Sequence, residues 1–249
     1  MIDTTTIPLR SHVLTKMSAP CVARAALVGD EDEPSANMDK GSTTHALCFN
    51  TQTVVVYPGA ARKGKEWDKF AEEHDGCRIV LRGEYELASR MSEAVRRHPL
   101  ARRLLENAAL EQTRLFQLDG RLCRGTPDIV GPDYIADLKT GRSADPRRFR
   151  YHARDYHYDC SLAWYMKAVP TATRAFIICV EKTKPYPVSV FAVNARTLAQ
   201  GDAYNMDAFA RFRACEQANH WPEYSDQIIE LDVPERSAAW AGYTEAEAA

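Results

Sequence analysis

No apolar run in the 249 residues approaches the roughly 20 that a membrane-crossing helix needs. The opening MIDTTTIPLR also lacks the basic start and apolar centre of a signal peptide. A cytoplasmic protein with no membrane partner is expected. Strong charge is missing too: 32 Lys and Arg stand against 34 Asp and Glu, a formal net charge of −2. Any grip on nucleic acid must therefore come from local basic patches and not from a global field. The seven cysteines are odd in number and include no C-x-x-C pair, which argues against a zinc or iron–sulfur site and fits reduced thiols. No internal repeat is visible, so a solenoid is excluded.

What is present suits one large α/β domain, since a chain of this length can bury a proper core. TQTVVVYPG reads as a short strand, and KEWDKFAEEH as a helix. GEYELASRMSEAVRRHPLARRLLENAAL is helical, with a kink or restart at Pro99. TRLFQL, the Asp119-Gly120 turn, RLCRGTPDIV and YIADLK form an antiparallel meander, and Pro127 bulges or ends its middle strand. A long helix over about 146–168, two strands and a helix over about 195–219 follow. This order predicts a central mixed sheet flanked by helices. The acidic, Pro- and Gly-containing GDEDEPSANMDKG marks residues 1–40 as a mobile arm, 41–225 as the domain and 226–249 as a loose tail.

The chemistry concentrates in RGTPDIVGPDYIADLKTG. A turn at 131–133 sets Asp128 opposite Asp137, give or take one residue, and Lys139 shares a strand face with Asp137. Two close carboxylates resist joint ionisation unless a cation sits between them. A hard divalent ion meets that need, can activate water and can neutralise charge on a phosphodiester. Lys139 would then orient or deprotonate the water, or stabilise the charge that develops. The bland alternative is a surface ion pair beside turn acids, and a bare D-x-K does not decide between them.

TPDIV and IADLKTG resemble the core of the PD-(D/E)XK nuclease superfamily. THALCF, YPGAARKGKEWDKFAEEH, DLKTGRSADPRRFRYHARDYHYDCSLAWY and VEKTKPYPVSVF are similar to the phage and prophage exonuclease VIII (RecE-like) group, over roughly residues 41–225. That resemblance implies a restriction-endonuclease-like fold and a two-metal exonuclease using Mg²⁺ or Mn²⁺ on double-stranded DNA ends. It further implies resection of 5′ strands, a single-strand annealing recombinase as partner, and a homo-oligomeric ring. Catalysis would fall to Asp128, Asp137 and Lys139. His45, four residues after Gly41, would join both acids as a metal ligand, and Glu111 would be accessory. Read alone, His45 is an ordinary packed histidine and Glu111 a solvated helix end.

One position departs from the group's pattern. Its Q-x-x-x-Y appears here with Tyr165 kept but Ser161 in place of glutamine, so a DNA-end contact loses reach. For phosphates the candidates are Lys63 and Lys65 in ARKGK, and Arg147, Arg148, Arg150 and Arg154 in PRRFRYHAR; Arg96, Arg97, Arg102 and Arg103 form a further cluster. Each cluster reads equally as a solvated face. Two other functions fit the same motif: a Cas4-like single-strand nuclease lacking its iron–sulfur cluster, and a non-catalytic DNA-binding module on a decayed nuclease fold. The scattered cysteines oppose the first, and the intact Asp128, Asp137 and Lys139 oppose the second.

Overall fold

The computed structural model describes residues 3–29 and 36–233, the side chains of 36–40 excepted. Its helices are α1 (Ser11–Leu14), α2 (Pro20–Val28), α3 (Ala36–Phe49), α4 (Lys65–Glu73), α5 (Arg82–Arg97), α6 (Pro99–Leu105), α7 (Pro146–Asp155), α8 (Tyr158–Ala168) and α9 (Ala195–Ala218). Its strands are β1 (Val54–Tyr57), β2 (Arg78–Leu81), β3 (Ala109–Leu110), β4 (Arg114–Leu118), β5 (Arg121–Gly125), β6 (Ile129–Val130), β7 (Tyr134–Gly141), β8 (Arg174–Glu181) and β9 (Val188–Val193). None of the described helices is long and apolar enough to cross a membrane.

Five strands make the central sheet in the order β3-β6-β7-β8-β9. Only β7 and β8 run parallel, so the sheet is mixed. The period of two along β7 explains why both its faces are covered. Tyr134, Ala136 and Leu138 pack with Met91 and Val95 of α5 and with Cys48 and Phe49 of α3. Ile135 packs the other way, with Leu162 of α8 and Phe149 of α7. Helix boundaries follow local chemistry: Pro99 and Pro146 open α6 and α7, where a missing N–H costs nothing. Asp145 caps α7 by accepting from Arg147 N–H at 2.7 Å. Helix α9 crosses α8 at Gly201, where a β-carbon would lie 2.4 Å from the Asp159 backbone.

Three local expectations need correction. The meander does not stay in one sheet: β4 and β5 pair with each other, while β6 and β7 belong to the central sheet. Their hairpin turns on Asp119 and Gly120 as expected, both at positive φ (45° and 73°). Pro127, which has no N–H for a ladder, stands where the chain passes from one sheet to the other. The long helix is instead two, α7 and α8, broken at His157, whose φ of 53° is left-handed.

The third correction concerns the supposed mobile arm. Leu9, Val13, Leu14 and Met17 are fully buried and pack with Ala23, Ala26 and Leu27 of α2 against Trp164 and Phe212. Leu9 also joins β5 through its N–H to Leu122 O (3.0 Å) and its carbonyl to Arg124 N (2.9 Å). Apolar burial on this scale outweighs the polar look of the neighbouring stretch. Residues 30–35 of the acidic stretch, and 234–249 of the expected tail, lie outside the described residues. Residues 223–233 carry no helix or strand and are exposed.

Candidate metal centre

The site is built by strand register. Leu110 pairs with Ile129, and Ile129 with Ala136. One step further along the same registers, Glu111, Asp128 and Asp137 stand side by side at one end of three strands. The Glu111 N–H donates to Asp128 O at 2.9 Å, which extends the first pairing. Asp128 turns its Oδ2 to the Leu138 N–H at 2.7 Å and so leaves Oδ1 facing away from the strand. Glu111 sits at φ 48°, an uncommon conformation for a residue with a β-carbon, and the Thr51 hydroxyl donates to its Oε2.

His45 arrives from α3, which lies along β7. A β-carbon on Gly41 would sit 3.4 Å from Thr140 Oγ1, an ordinary contact. One helical turn later, His45 Nε2 lies 2.8 Å from Leu138 O. A carbonyl can only accept, so Nε2 carries the proton when the imidazole is neutral and Nδ1 keeps its lone pair. That Nδ1 stands 3.5 Å from Asp128 Oδ1 and 3.9 Å from Glu111 Oε1. One ligand atom from each of His45, Glu111 and Asp128 lies within 4.8 Å of the other two. Donors about 2.1 Å from an octahedral ion stand about 3–4 Å apart, so the set needs only a small contraction.

Asp137 behaves differently. It is 2% exposed, and its buried Oδ2 is ion-paired in direct contact with Lys139 Nζ. Burial and the neighbouring Asp128 charge push its carboxyl up to about 6, against the pull of Lys139. Burial also opposes ionisation of Asp128, but His45 and then Lys139 overcome it and hold that carboxyl at about 2. His45 itself is raised: burial lowers it, and the Asp128 charge more than compensates. Lys139 is likewise raised against burial by Asp137 and Asp128, and its ammonium lies 4.9 Å from the centre of the Tyr158 ring. Three carboxylates thus share one ammonium and one imidazole. Such a surplus of buried negative charge suits a cation.

A family model described as a PDDEXK-like domain of unknown function (DUF3799) matches residues 13–232. The chain belongs to this family. Pro127-Asp128 and Asp137-Leu138-Lys139 lie within the matched span. A solved structure from Eubacterium rectale, assigned as an exonuclease, aligns with a TM-score of 0.65 at 14% identity. The match covers 92% of this chain and 91% of that one, and it establishes a shared fold. A phage-related exonuclease from Haemophilus somnus aligns at a TM-score of 0.39, with 12% identity over 85% of this chain and 95% of its own. An alkaline exonuclease from Laribacter hongkongensis aligns at 0.31, with 11% identity over 72% and 89%. No curated protein matches the chain.

Around the PDDEXK-like centre, the other expected residues divide. Tyr165 of α8 is near enough for the Asp137 charge to add to burial in raising its phenol. Ser161, one turn earlier, lines a polar cleft of about 190 Å³ together with Tyr165, Arg10, Arg124 and Thr126. Its Oγ lies 3.5 Å from that of Ser11. Arg147, Arg148, Arg150 and Arg154 are exposed on α7, directly after the Lys139 strand. Lys63 and Lys65, beside the start of α4, are exposed too, and neither contacts the acids. Arg96 is occupied with the Leu47 and Cys48 carbonyls, and Arg62 with Glu84 at 2.5 Å. Thr51 was not anticipated as a neighbour of the centre, and only long-range register could have found it.

Proposed function

We propose that the protein is a divalent-metal-dependent exodeoxyribonuclease acting on the ends of double-stranded DNA. The observation that carries this reading is the His45, Glu111 and Asp128 group beside a buried Asp137 that is ion-paired with Lys139. In this reading His45 Nδ1, Glu111 and Asp128 would hold Mg²⁺ or Mn²⁺, with Asp137 beside them toward a second ion. When bound, the metal makes a water more acidic and offsets charge on the phosphodiester. Leu138 fixes the tautomer of His45 through its carbonyl and the rotamer of Asp128 through its N–H. Lys139, held protonated by its acids, offers an N–H donor to the oxyanion that develops at phosphorus. That role replaces the water-deprotonating one left open by the sequence.

The finer parts of the reading rest on resemblance to the exonuclease VIII group. They are resection of 5′ strands to leave 3′ overhangs, partnership with a single-strand annealing recombinase, a ring of subunits and a cytoplasmic setting. The test is digestion of end-labelled linear duplex. Mg²⁺ or Mn²⁺ should release labelled nucleotides from the 5′ end, and excess chelator should abolish release. Undiminished digestion in chelator, or none under any metal, overturns the proposal.

A further inference from the structure

The stretch EYSDQIIELDV, residues 223–233, follows α9 and carries neither helix nor strand. Ile228 stands fully in solvent, and Ile229, Leu231 and Val233 are 70%, 83% and 66% exposed. One exposed aliphatic side chain needs no explanation, but four within six positions do. From Ile229 onward the run alternates, with Ile229, Leu231 and Val233 set against Glu230 and Asp232. That is the period of a strand with one apolar face and one acidic face. Its start is fastened: Pro222 O accepts from the Cys21 N–H at 3.1 Å, and the Trp221 ring packs on Phe212 with centroids 5.2 Å apart. A strand pattern without a neighbouring strand suits the edge of a sheet.

Such an edge exists at β9, which among the described residues pairs only with β8. Beside it opens a cleft of about 370 Å³, walled by Phe149 and Ala153 of α7, Leu162 of α8, Phe191 and Val193 of β9, and Gln200 of α9. Phe191 and Val193 share the β9 face that packs toward α7 and α8. A strand added outside β9 would set alternate side chains in line with them, over the cleft. Charge favours the same meeting. Residues 223–233 hold four acids and no Lys or Arg, whereas α7, one wall of the cleft, holds four arginines and one acid. This attraction acts between whole segments and not through paired residues. The occupant is best supplied by another molecule of the chain. Phe212, where Trp221 packs, lies eighteen residues past Asn194, about 27 Å along α9. From Pro222 to Ile229 the chain reaches about 25 Å at full stretch, so its own segment has no slack to lie along β9. A second copy meets no such limit. We propose that Ile229–Val233 of one copy adds as an outer strand to β9 of another, its apolar face over the cleft. The two surfaces differ, so the contact is head-to-tail and either closes a ring or grows a filament. It stands independently of the nuclease reading.

The experiment is sedimentation equilibrium of the full chain from low to high micromolar concentration. Wild type should associate as concentration rises. Leu231→Asp spoils the apolar strand face and Ala153→Trp fills the cleft, and each alone should weaken association by about tenfold or more, the scale of a lost interface anchor. Mixed in equal amounts, the two variants still offer one intact segment and one intact cleft. They should therefore form a dimer that grows no further. Leu231 is exposed, so an unchanged melting curve verifies the fold of that variant. Should Ala153→Trp fail to fold, the pair Arg150→Glu and Arg154→Glu takes its place, reversing the charge on the α7 wall. A wild type that stays monomeric throughout, which is the result for docking within one chain or on a different protein, overturns the proposal. So do variants that associate as wild type does, and so does a mixture that yields no dimer.

Discussion

Two places in this molecule bury charge, and they solve the problem in opposite ways. At the N-terminal wing, Arg121 is 2% exposed and every nitrogen of its guanidinium is used. It donates to Glu216 Oε2 at 3.2 Å and to the carbonyls of Thr4, Thr5, Ile7 and Leu122 at 2.7–3.2 Å. Arg213 adds a second contact to the same Glu216 oxygen at 2.5 Å. Two cations on one carboxylate, tied to four carbonyls, fasten the chain start to β5 and α9. At the end of β3, β6 and β7 the balance is reversed. Three carboxylates share one ammonium and one imidazole. A cluster of surplus cation is a fastening, whereas a cluster of surplus anion is a place for a metal.

The comparison predicts separate failures. The largest is in rate: Lys139→Ala should lose roughly 10²- to 10³-fold in Mg²⁺-dependent digestion, the scale of a lost oxyanion donor. Digestion within tenfold of wild type would reduce the Asp137–Lys139 pair to decoration. Next is stability: Arg121→Met should cost about 3–5 kcal/mol, because it removes the centre of a buried ion cluster. Below its transition the same variant should digest at the wild-type rate, and a lost rate there would merge the two regions. A denaturant melt and a digestion assay on each variant separate them.

A smaller effect is expected for His45→Ala, which should weaken Mn²⁺ binding roughly 10- to 100-fold or more, read by titration. A variant that loses stability but keeps metal affinity would return His45 to the packed-histidine reading. The smallest effect is in pH. Asp128, held at about 2 against 3.8, contributes stability above pH 3.8 that is lost as pH falls through 2. Asp137, raised to about 6, works the other way: its contribution is present below pH 3.8 and lost as pH rises through 6. His45, raised above 6.5, likewise favours the metal-free fold only on the acid side. The metal-free fold is therefore most strained on the alkaline side of both the Asp137 and the His45 titrations, where a cation need displace no proton from either. Mg²⁺ should raise the melting temperature more at pH 8 than at pH 5, and equal shifts would contradict the assignment.

The two regions also differed in how far the sequence revealed them. Asp128, Asp137 and Lys139 were legible because a short turn after Val130 fixes the register of β6 on β7, and a period of two does the rest. Glu111 was reached only through the resemblance, since its place depends on two-residue β3 pairing with β6 across nearly twenty positions of chain. The N-terminal wing was read as an arm because α1 has four residues, too few for a periodic signal, beside a conspicuously acidic stretch. Its burial comes from partners such as Trp164 and Phe212, more than a hundred residues away. The break at His157 was equally hidden, because histidine carries no intrinsic helix-stop signal and its left-handed φ of 53° has no mark in the sequence.

The central claim is that the surplus negative charge at the sheet end is a metal site and the Arg121 cluster is not. The most direct measurement is a crystal grown with Mn²⁺ and read by anomalous scattering. The account predicts a peak within bonding distance of His45 Nδ1, Glu111 and Asp128, with His45 Nε2 still on the Leu138 carbonyl. Crystals that bind Mn²⁺ elsewhere, or that leave these three side chains without a peak at saturating metal, would contradict it.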